Sequence, residues 1–194
     1  NGEILKRLRG KVGIAHNRYG TAAGSNPENI QPIRGAWKGK EFWIAHNGNL
    51  TNTEILKDYC LKRGRQPYAS SDTGTVAALI SLSQADSFEK AVATTLEKLK
   101  GAFSLIILYG EEIIIAKDNL GIRPLCLGKR EDGFVVASES CALYHLGATL
   151  IREIDPGEIL IIDKSGISEY CHPPVTKRKF CIFEYIYFLR PDSK

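Results

Sequence analysis

Between residues 53 and 100 three helical patterns follow one another with no strand-like run between them, and on either side the chain returns to short apolar runs broken by turn residues. A parallel α/β sheet needs strands and helices in alternation. This order therefore points to an α+β protein with mainly antiparallel sheets covered by helices on the outside. Thr51 and Glu54 stand at capping-box spacing ahead of Ile55, Leu56, Tyr59 and Cys60, with Gly64 as the stop, which predicts a helix over residues 53–63. A second helix is expected from Ser71 and Asp72 through Val76, Leu79 and Ile80. A third, over residues 87–100, sets Phe88, Val92, Leu96 and Leu99 on one stripe.

Strands are expected where the period drops to two. Residues 11–15 and 41–45 read as strands, the second closing in a turn at Asn47-Gly48, since both residues tolerate positive φ. Residues 103–109 and 113–117 flank Gly110-Glu111-Glu112 as a hairpin. Residues 124–127 and 134–137 flank a polar turn ending at Gly133, Ser138 caps a short helix ending at Gly147, and strands over 150–153 and 158–163 meet at Asp155-Pro156-Gly157.

Composition bounds the function. A chain of 194 residues makes one or at most two domains, and a net charge of +4 is mild. The one dense basic run, Lys177-Arg178-Lys179, lacks interleaved aromatics and reads as a solvated linker, so no nucleic-acid partner is expected. No apolar run approaches the ~18 residues of a membrane span, and the first residues are too charged for a secretory signal. Five cysteines without a CxxC spacing argue against a disulfide framework and against a zinc site. A cytoplasmic protein without a membrane partner is expected.

Chemistry concentrates around two copies of one tetrapeptide. Ile14-Ala15-His16-Asn17 runs into Arg18-Tyr19-Gly20-Thr21, and Ile44-Ala45-His46-Asn47 into Gly48-Asn49-Leu50. Arg18 is either a surface arginine or a bidentate clamp on a carboxylate, and spacing alone divides the two evenly. His16 and His46 lack an acid or cysteine at ligand spacing, so structural imidazoles are favoured over a paired metal site. Asn47-Gly48 is most simply a tight turn, yet the Gly48 N–H and the Asn47 amide could converge on one oxygen as an oxyanion hole does. Asp72 at a helix start is an N-cap by default, and its carboxylate could also hold an ammonium group. Leu160-Ile161-Ile162-Asp163 has the apolar-run-plus-acid form of a ribose-phosphate element but lacks the second acid and the phosphate loop.

Gly13-Ile14-Ala15-His16-Asn17-Arg18-Tyr19-Gly20-Thr21, Asn29-Ile30-Gln31-Pro32, Ala45-His46-Asn47-Gly48-Asn49-Leu50 and Ser71-Asp72-Thr73 together resemble the glutamine-site motifs of the class II, N-terminal-nucleophile amidotransferases. Asp118-Asn119-Leu120-Gly121-Ile122-Arg123-Pro124-Leu125, Ala137-Ser138-Glu139-Ser140-Cys141-Ala142, Asp155-Pro156-Gly157-Glu158 and, most specifically, Cys181-Ile182-Phe183-Glu184-Tyr185-Ile186-Tyr187-Phe188-Leu189-Arg190-Pro191-Asp192-Ser193 are similar to the amidophosphoribosyltransferase family within that class. Leu189 stands where an alanine is more usual.

The resemblance implies a four-layer αββα sandwich of the N-terminal-nucleophile hydrolase type, lacking its first strands. It implies that Arg18 holds the glutamine α-carboxylate with Thr21 assisting, that Asp72 holds the α-amino group, and that Asn47 and Gly48 stabilise the oxyanion. The family's nucleophile is an N-terminal cysteine whose own α-amine acts as base. No cysteine opens this sequence, so a truncated fragment, inactive alone, is expected. Residues 1–175 would form the glutaminase domain, and residues 176–194 a linker and the start of a phosphoribosyltransferase domain in the same parent chain. L-glutamine is the expected ligand, and a homo-oligomer is expected. No cofactor is expected within the chain. Mg2+ would come with the phosphoribosyl domain, and a [4Fe-4S] cluster in the parent enzyme could take Cys181 as a ligand, although a packing role for Cys181 is favoured. The competing readings are another class II amidotransferase domain and a non-catalytic amino-acid-binding protein of the same fold.

Overall fold

A computed structural model describes residues 10–17, 26–171, 179, 181–182 and 193. After a 3-10 turn at Pro27–Asn29 come β1 (Ile33–Trp37), β2 (Lys40–Leu50), α1 (Thr53–Leu61), α2 (Asp72–Leu82) and α3 (Phe88–Leu96). The chain continues through β3 (Gly101–Tyr109), β4 (Glu112–Lys117), β5 (Cys126–Arg130), β6 (Gly133–Ala137), α4 (Ser140–His145), β7 (Thr149–Glu153), β8 (Ile159–Asp163) and β9 (Gly166–Cys171). One sheet has six strands in the order β1-β2-β3-β4-β8-β9, the other three in the order β6-β5-β7, and every pairing is antiparallel.

Alternation along the strands sorts side chains into layers. Ile114 on β4, Leu105 and Ile107 on β3, and Phe42 and Ile44 on β2 pack against Val76, Ala77 and Ile80 of α2 and Phe88 and Val92 of α3. The opposite pleat sends Ile113 and Ile115 of β4, with Leu160 and Ile162 of β8, against Leu127 of β5 and Phe134 and Val136 of β6. The far face of the small sheet carries Cys126, Val135 and Ala137 to Leu143 of α4. A run of three isoleucines on β4 thus serves two cores at once, because successive side chains point to opposite faces. The layers are helices, large sheet, small sheet, helix: the α+β sandwich expected from the sequence.

Helix α2 is buried almost all round, from Thr73 to Ile80, because it lies between the sheet and its neighbouring helices. It shows no polar face for that reason. Helix α3 begins as expected, with Ser87 accepting from the Lys90 N–H, but ends at Leu96 rather than residue 100. The loop beyond it is used elsewhere: Asn52 donates to the Lys98 carbonyl and accepts from the Lys100 N–H. The Thr51 N–H and hydroxyl both donate to the Lys100 carbonyl. The expected capping box at Thr51 and Glu54 is therefore not formed, and Asn52 takes the N-cap position of α1 without a side-chain capping bond.

Three further expectations are corrected. Residues 11–15 are not in a strand among the described residues. Glu139, not Ser138, precedes α4 as its N-cap. The strands flanking Asp155-Pro156-Gly157 do not pair with each other: β7 joins the small sheet and β8 the large one, and the turn carries the chain across. Buried Glu158 fixes that crossing, accepting from the Arg152 guanidinium and from the Asp155 N–H. Strand β9 was not foreseen, since Ser168, Glu169 and Tyr170 on an edge strand give little apolar signal.

The described residues include no helix long and apolar enough to cross a membrane. Leu105 is fully buried whereas Ile55 is 72% exposed. Leu105→Ala should cost about 2–5 kcal/mol in urea unfolding, and Ile55→Ala less than about 0.5 kcal/mol. Equal costs would contradict the layer assignment.

Candidate functional site

Strand β2 does not stop at Asn47-Gly48. It runs to Leu50, with Asn47 opposite Ser104, Gly48 opposite Phe103 and Leu50 opposite Gly101 on β3, so the turn expected there is corrected. The glycine is needed for a different reason. Its φ is +154°, and a Cβ would lie 2.1 Å from the Ala102 carbonyl oxygen and 2.8 Å from His46 Nε2. Close approach of β3 excludes any side chain at this position.

On its other side β2 has a partner only in part. Strand β1 pairs with it from Lys40 to Ile44. Beyond that point the edge of β2 is occupied by side chains: the His46 N–H donates to Gln31 Oε1 at 2.6 Å, and the Leu50 N–H to Asp72 Oδ2 at 3.3 Å. Backbone amides two residues apart on a strand point to the same edge. The Gly48 N–H, midway between these two, is thereby aimed at this same edge.

Asp72 reaches the strand because α2 begins beside it. Ser71 occupies the N-cap with extended backbone, and Asp72, expected as the cap, is the first helical residue. Fully buried Asn29 holds the start of the helix, accepting from the Ser71 N–H at 2.8 Å and donating to Ser70 Oγ at 2.8 Å. Gly74 lets the first turn press on Ala69, whose N and O would lie 2.4 Å from any Cβ. The Asp72 carboxylate then accepts from the Thr73 N–H at 2.8 Å through Oδ1, and His46 Nδ1 lies 3.4 Å from the same oxygen. Gln31 ties the two elements together by donating to Thr73 Oγ1 at 3.2 Å.

Burial pushes the Asp72 carboxyl up, but its interactions with His46 and the N–H bonds from Leu50 and Thr73 outweigh this and hold it below its ordinary value. The carboxylate is thus kept charged, beside a helix N-terminus that favours negative charge. Oδ1 is engaged by Thr73 and His46, while among the described residues Oδ2 accepts from the Leu50 N–H at 3.3 Å. Such an oxygen can take an ammonium group. Leu50 is two residues beyond Gly48, about 7 Å along an extended strand. Standard bond lengths place the α-nitrogen of an extended glutamine about 6 Å from its side-chain amide oxygen. An amino acid with its ammonium on Asp72 can therefore lay its amide oxygen near Gly48 and Asn47, both of which are partly exposed.

The structure brings Gly48 and Asp72 to one edge of β2, with Asn47 next to Gly48 in the strand, while Arg18 and Thr21 lie outside the described residues. His16 is half-buried. Cys181 is partly exposed and is a free thiol, as are the other four cysteines. Among the described residues no three His, Cys, Asp or Glu side chains group as metal ligands. Sequence reasoning assigned no role to Asn29, Gln31 or Thr73. The signals available for them were the motifs Asn29-Ile30-Gln31-Pro32 and Ser71-Asp72-Thr73, whose amides and hydroxyl act only once folding brings β2 and α2 together.

Since its folded value is lowered, the Asp72 contribution to stability is present above the ordinary value of 3.8 and is lost as pH falls through the folded value. Urea unfolding from about pH 5 down to about pH 2.5 should therefore show the native chain losing more stability than Asp72→Asn. Parallel curves would contradict the charged, hydrogen-bonded carboxylate. Gly48→Ala should cost about 2 kcal/mol or more in the same assay at neutral pH, as expected for a steric clash with the β3 backbone.

A family model described as a glutamine amidotransferase domain matches residues 16–145. Amidophosphoribosyltransferase of Bacillus subtilis is 43% identical over 195 residues, covering 100% of this chain and 40% of that protein. Amidophosphoribosyltransferase 1, chloroplastic, of Arabidopsis thaliana is 40% identical over 194 residues, covering 100% of this chain and 34% of its own length. The solved glutamine phosphoribosylpyrophosphate amidotransferase from B. subtilis, complexed with ADP and GMP, superposes with a TM-score of 0.84 at 39% identity, over 92% of this chain and 39% of that one. The chain thus spans between a third and two fifths of the length of the curated relatives it matches.

Proposed function

Because this chain belongs to the glutamine amidotransferase domain family, we propose that the open edge of β2 binds L-glutamine and orients its side-chain amide for cleavage. Asp72 takes the α-ammonium, Asn47 and the Gly48 N–H take the carbonyl oxygen as it becomes an oxyanion, and Arg18, with Thr21, takes the α-carboxylate. One observation carries the reading: the Leu50 N–H on Asp72 Oδ2 registers an anionic anchor against the strand that carries Gly48.

The expected chemistry is acyl transfer. An N-terminal cysteine thiolate supplied by the parent chain attacks the amide carbon, ammonia leaves, and water releases glutamate from the thioester. Preorganised donors matter most at the tetrahedral stage, when negative charge collects on the former carbonyl oxygen. The names of the relatives extend the proposal: ammonia passes to a phosphoribosyltransferase domain and displaces pyrophosphate from phosphoribosyl pyrophosphate, giving phosphoribosylamine for purine synthesis. Residues 1–175 would be the glutaminase unit and residues 176–194 the passage to that domain, which would bring Mg2+ with it. Assembly into a homo-oligomer and a cytoplasmic setting belong to the same proposal, the latter supported by five free thiols.

Isothermal titration of the chain with L-glutamine should give saturable binding that Asp72→Asn weakens at least about tenfold. Absence of binding, or equal binding by the variant, would overturn the assignment. In a longer chain carrying the N-terminal cysteine, Asn47→Ala should lower kcat about 10²–10³-fold with little change in KM. A change confined to KM would instead make Asn47 a ground-state binding residue.

A further inference from the structure

His46 is 4% exposed, and its Nε2 has no hydrogen-bond partner among the described residues. Its Nδ1 lies 3.2 Å from Thr73 Oγ1 and 3.4 Å from Asp72 Oδ1. Donors and acceptors around Nδ1 point to a hydrogen on that nitrogen. The His46 backbone N–H can only donate, so Gln31 presents Oε1 to it and turns Nε2 toward Thr73 Oγ1. A threonine hydroxyl has one hydrogen and two lone pairs. The hydrogen goes to Asp72 Oδ1 at 3.4 Å, leaving the lone pairs for Gln31 and His46. The carboxylate Oδ1, 3.4 Å away, can only accept, so Nδ1 is the donor, a hydrogen position assigned from its partners.

Leaving a buried polar nitrogen without a partner costs stability, and an apolar side chain at this position would avoid the cost. What the imidazole contributes lies at its Nδ1 end. There it helps to saturate Oδ1 and hold the carboxylate in place, leaving Oδ2, with its bond to the Leu50 N–H, as the oxygen open to a cation. His46 also adjoins Asn47 and Gly48 in the chain, so one side chain braces the anionic anchor from the strand that carries the oxyanion donors.

Resting on the glutamine reading, we infer that His46 is a positioning residue for the substrate α-ammonium, acting through Asp72 without touching the ligand. It thereby sets the preference of the site for an α-amino acid over the same molecule lacking the amine. A merely structural histidine would affect both ligands alike.

The test is calorimetric titration of the chain and its variants with L-glutamine and with 4-carbamoylbutanoate, which is glutamine without the α-amine. The native chain should prefer glutamine at least about tenfold, and Asp72→Asn should abolish that preference. His46→Ala should weaken glutamine binding until the two ligands differ by less than about threefold, leaving 4-carbamoylbutanoate unchanged. His46→Asn, whose amide nitrogen can occupy the place of Nδ1, should keep the preference. His46→Gln, which reaches the place of Nε2 instead, should lose it. Should His46→Ala fail to fold, the Asn and Gln variants decide, and equal preference in the two overturns the inference. Retained preference in His46→Ala, or equal weakening of both ligands, overturns it too. If the native chain itself shows no preference, or Asp72→Asn retains one, the glutamine assignment fails and His46 loses its proposed role with it.

Discussion

A single junction organises the functional half of this molecule: the carboxylate at the first turn of α2 accepts a backbone hydrogen bond from the far end of β2. Without it the strand edge beyond Ile44, where β1 stops pairing, would carry backbone donors with no strand to receive them. Gln31 and Asp72 take that place, and each performs two tasks. Gln31 accepts from the strand and donates to α2; Asp72 accepts from the strand and from its own helix start. Buried polar networks of this kind are demanding, because each missing partner leaves a desolvated group behind. The return is rigidity at the edge where a ligand would have to be held.

The layers behind the junction explain how it stays rigid. Helix α2 is packed on all sides and cannot shift along its axis without disturbing the core formed with Phe42, Ile44 and Ile107. Interiors packed at crystal-like density transmit such displacements rather than absorbing them. Gly74 and Gly48 are two of the points where backbones approach too closely for a side chain, one at each side of the junction. Gly48 and the Asp72 carboxylate therefore sit on elements that the core fixes relative to each other, which is what the proposed oxyanion and ammonium roles require.

Much of the fold was legible in the sequence because the relevant signals were local. The stripe of Phe88, Val92, Leu96 and Leu99 packs in the main core as its helical spacing implied, and the Gly110 hairpin joins β3 to β4. What escaped was set by partners distant in the chain. Asn47-Gly48 carries the strongest short-range turn signal, yet the glycine is there to admit β3, and nothing within five residues reveals that. The capping box at Thr51 was overridden by Lys98 and Lys100, and the crossing from β7 to β8 is held by partly exposed Arg152 on buried Glu158. At the site, Asn47, Gly48 and Asp72 were singled out as residues with suitable chemistry. The alignment of Gly48 and Asp72 on one edge depends on Asn29, Gln31 and Thr73, amides and a hydroxyl whose partners lie far away in the chain.

A crystal structure of the chain soaked with L-glutamine would decide whether this edge is one site. The α-ammonium should lie within hydrogen-bond distance of Asp72 Oδ2, with the side-chain amide oxygen on the Gly48 N–H and the Asn47 amide. Glutamine ordered elsewhere, or bound here with its amide end toward Asp72 and its ammonium toward Gly48, would contradict the assignment.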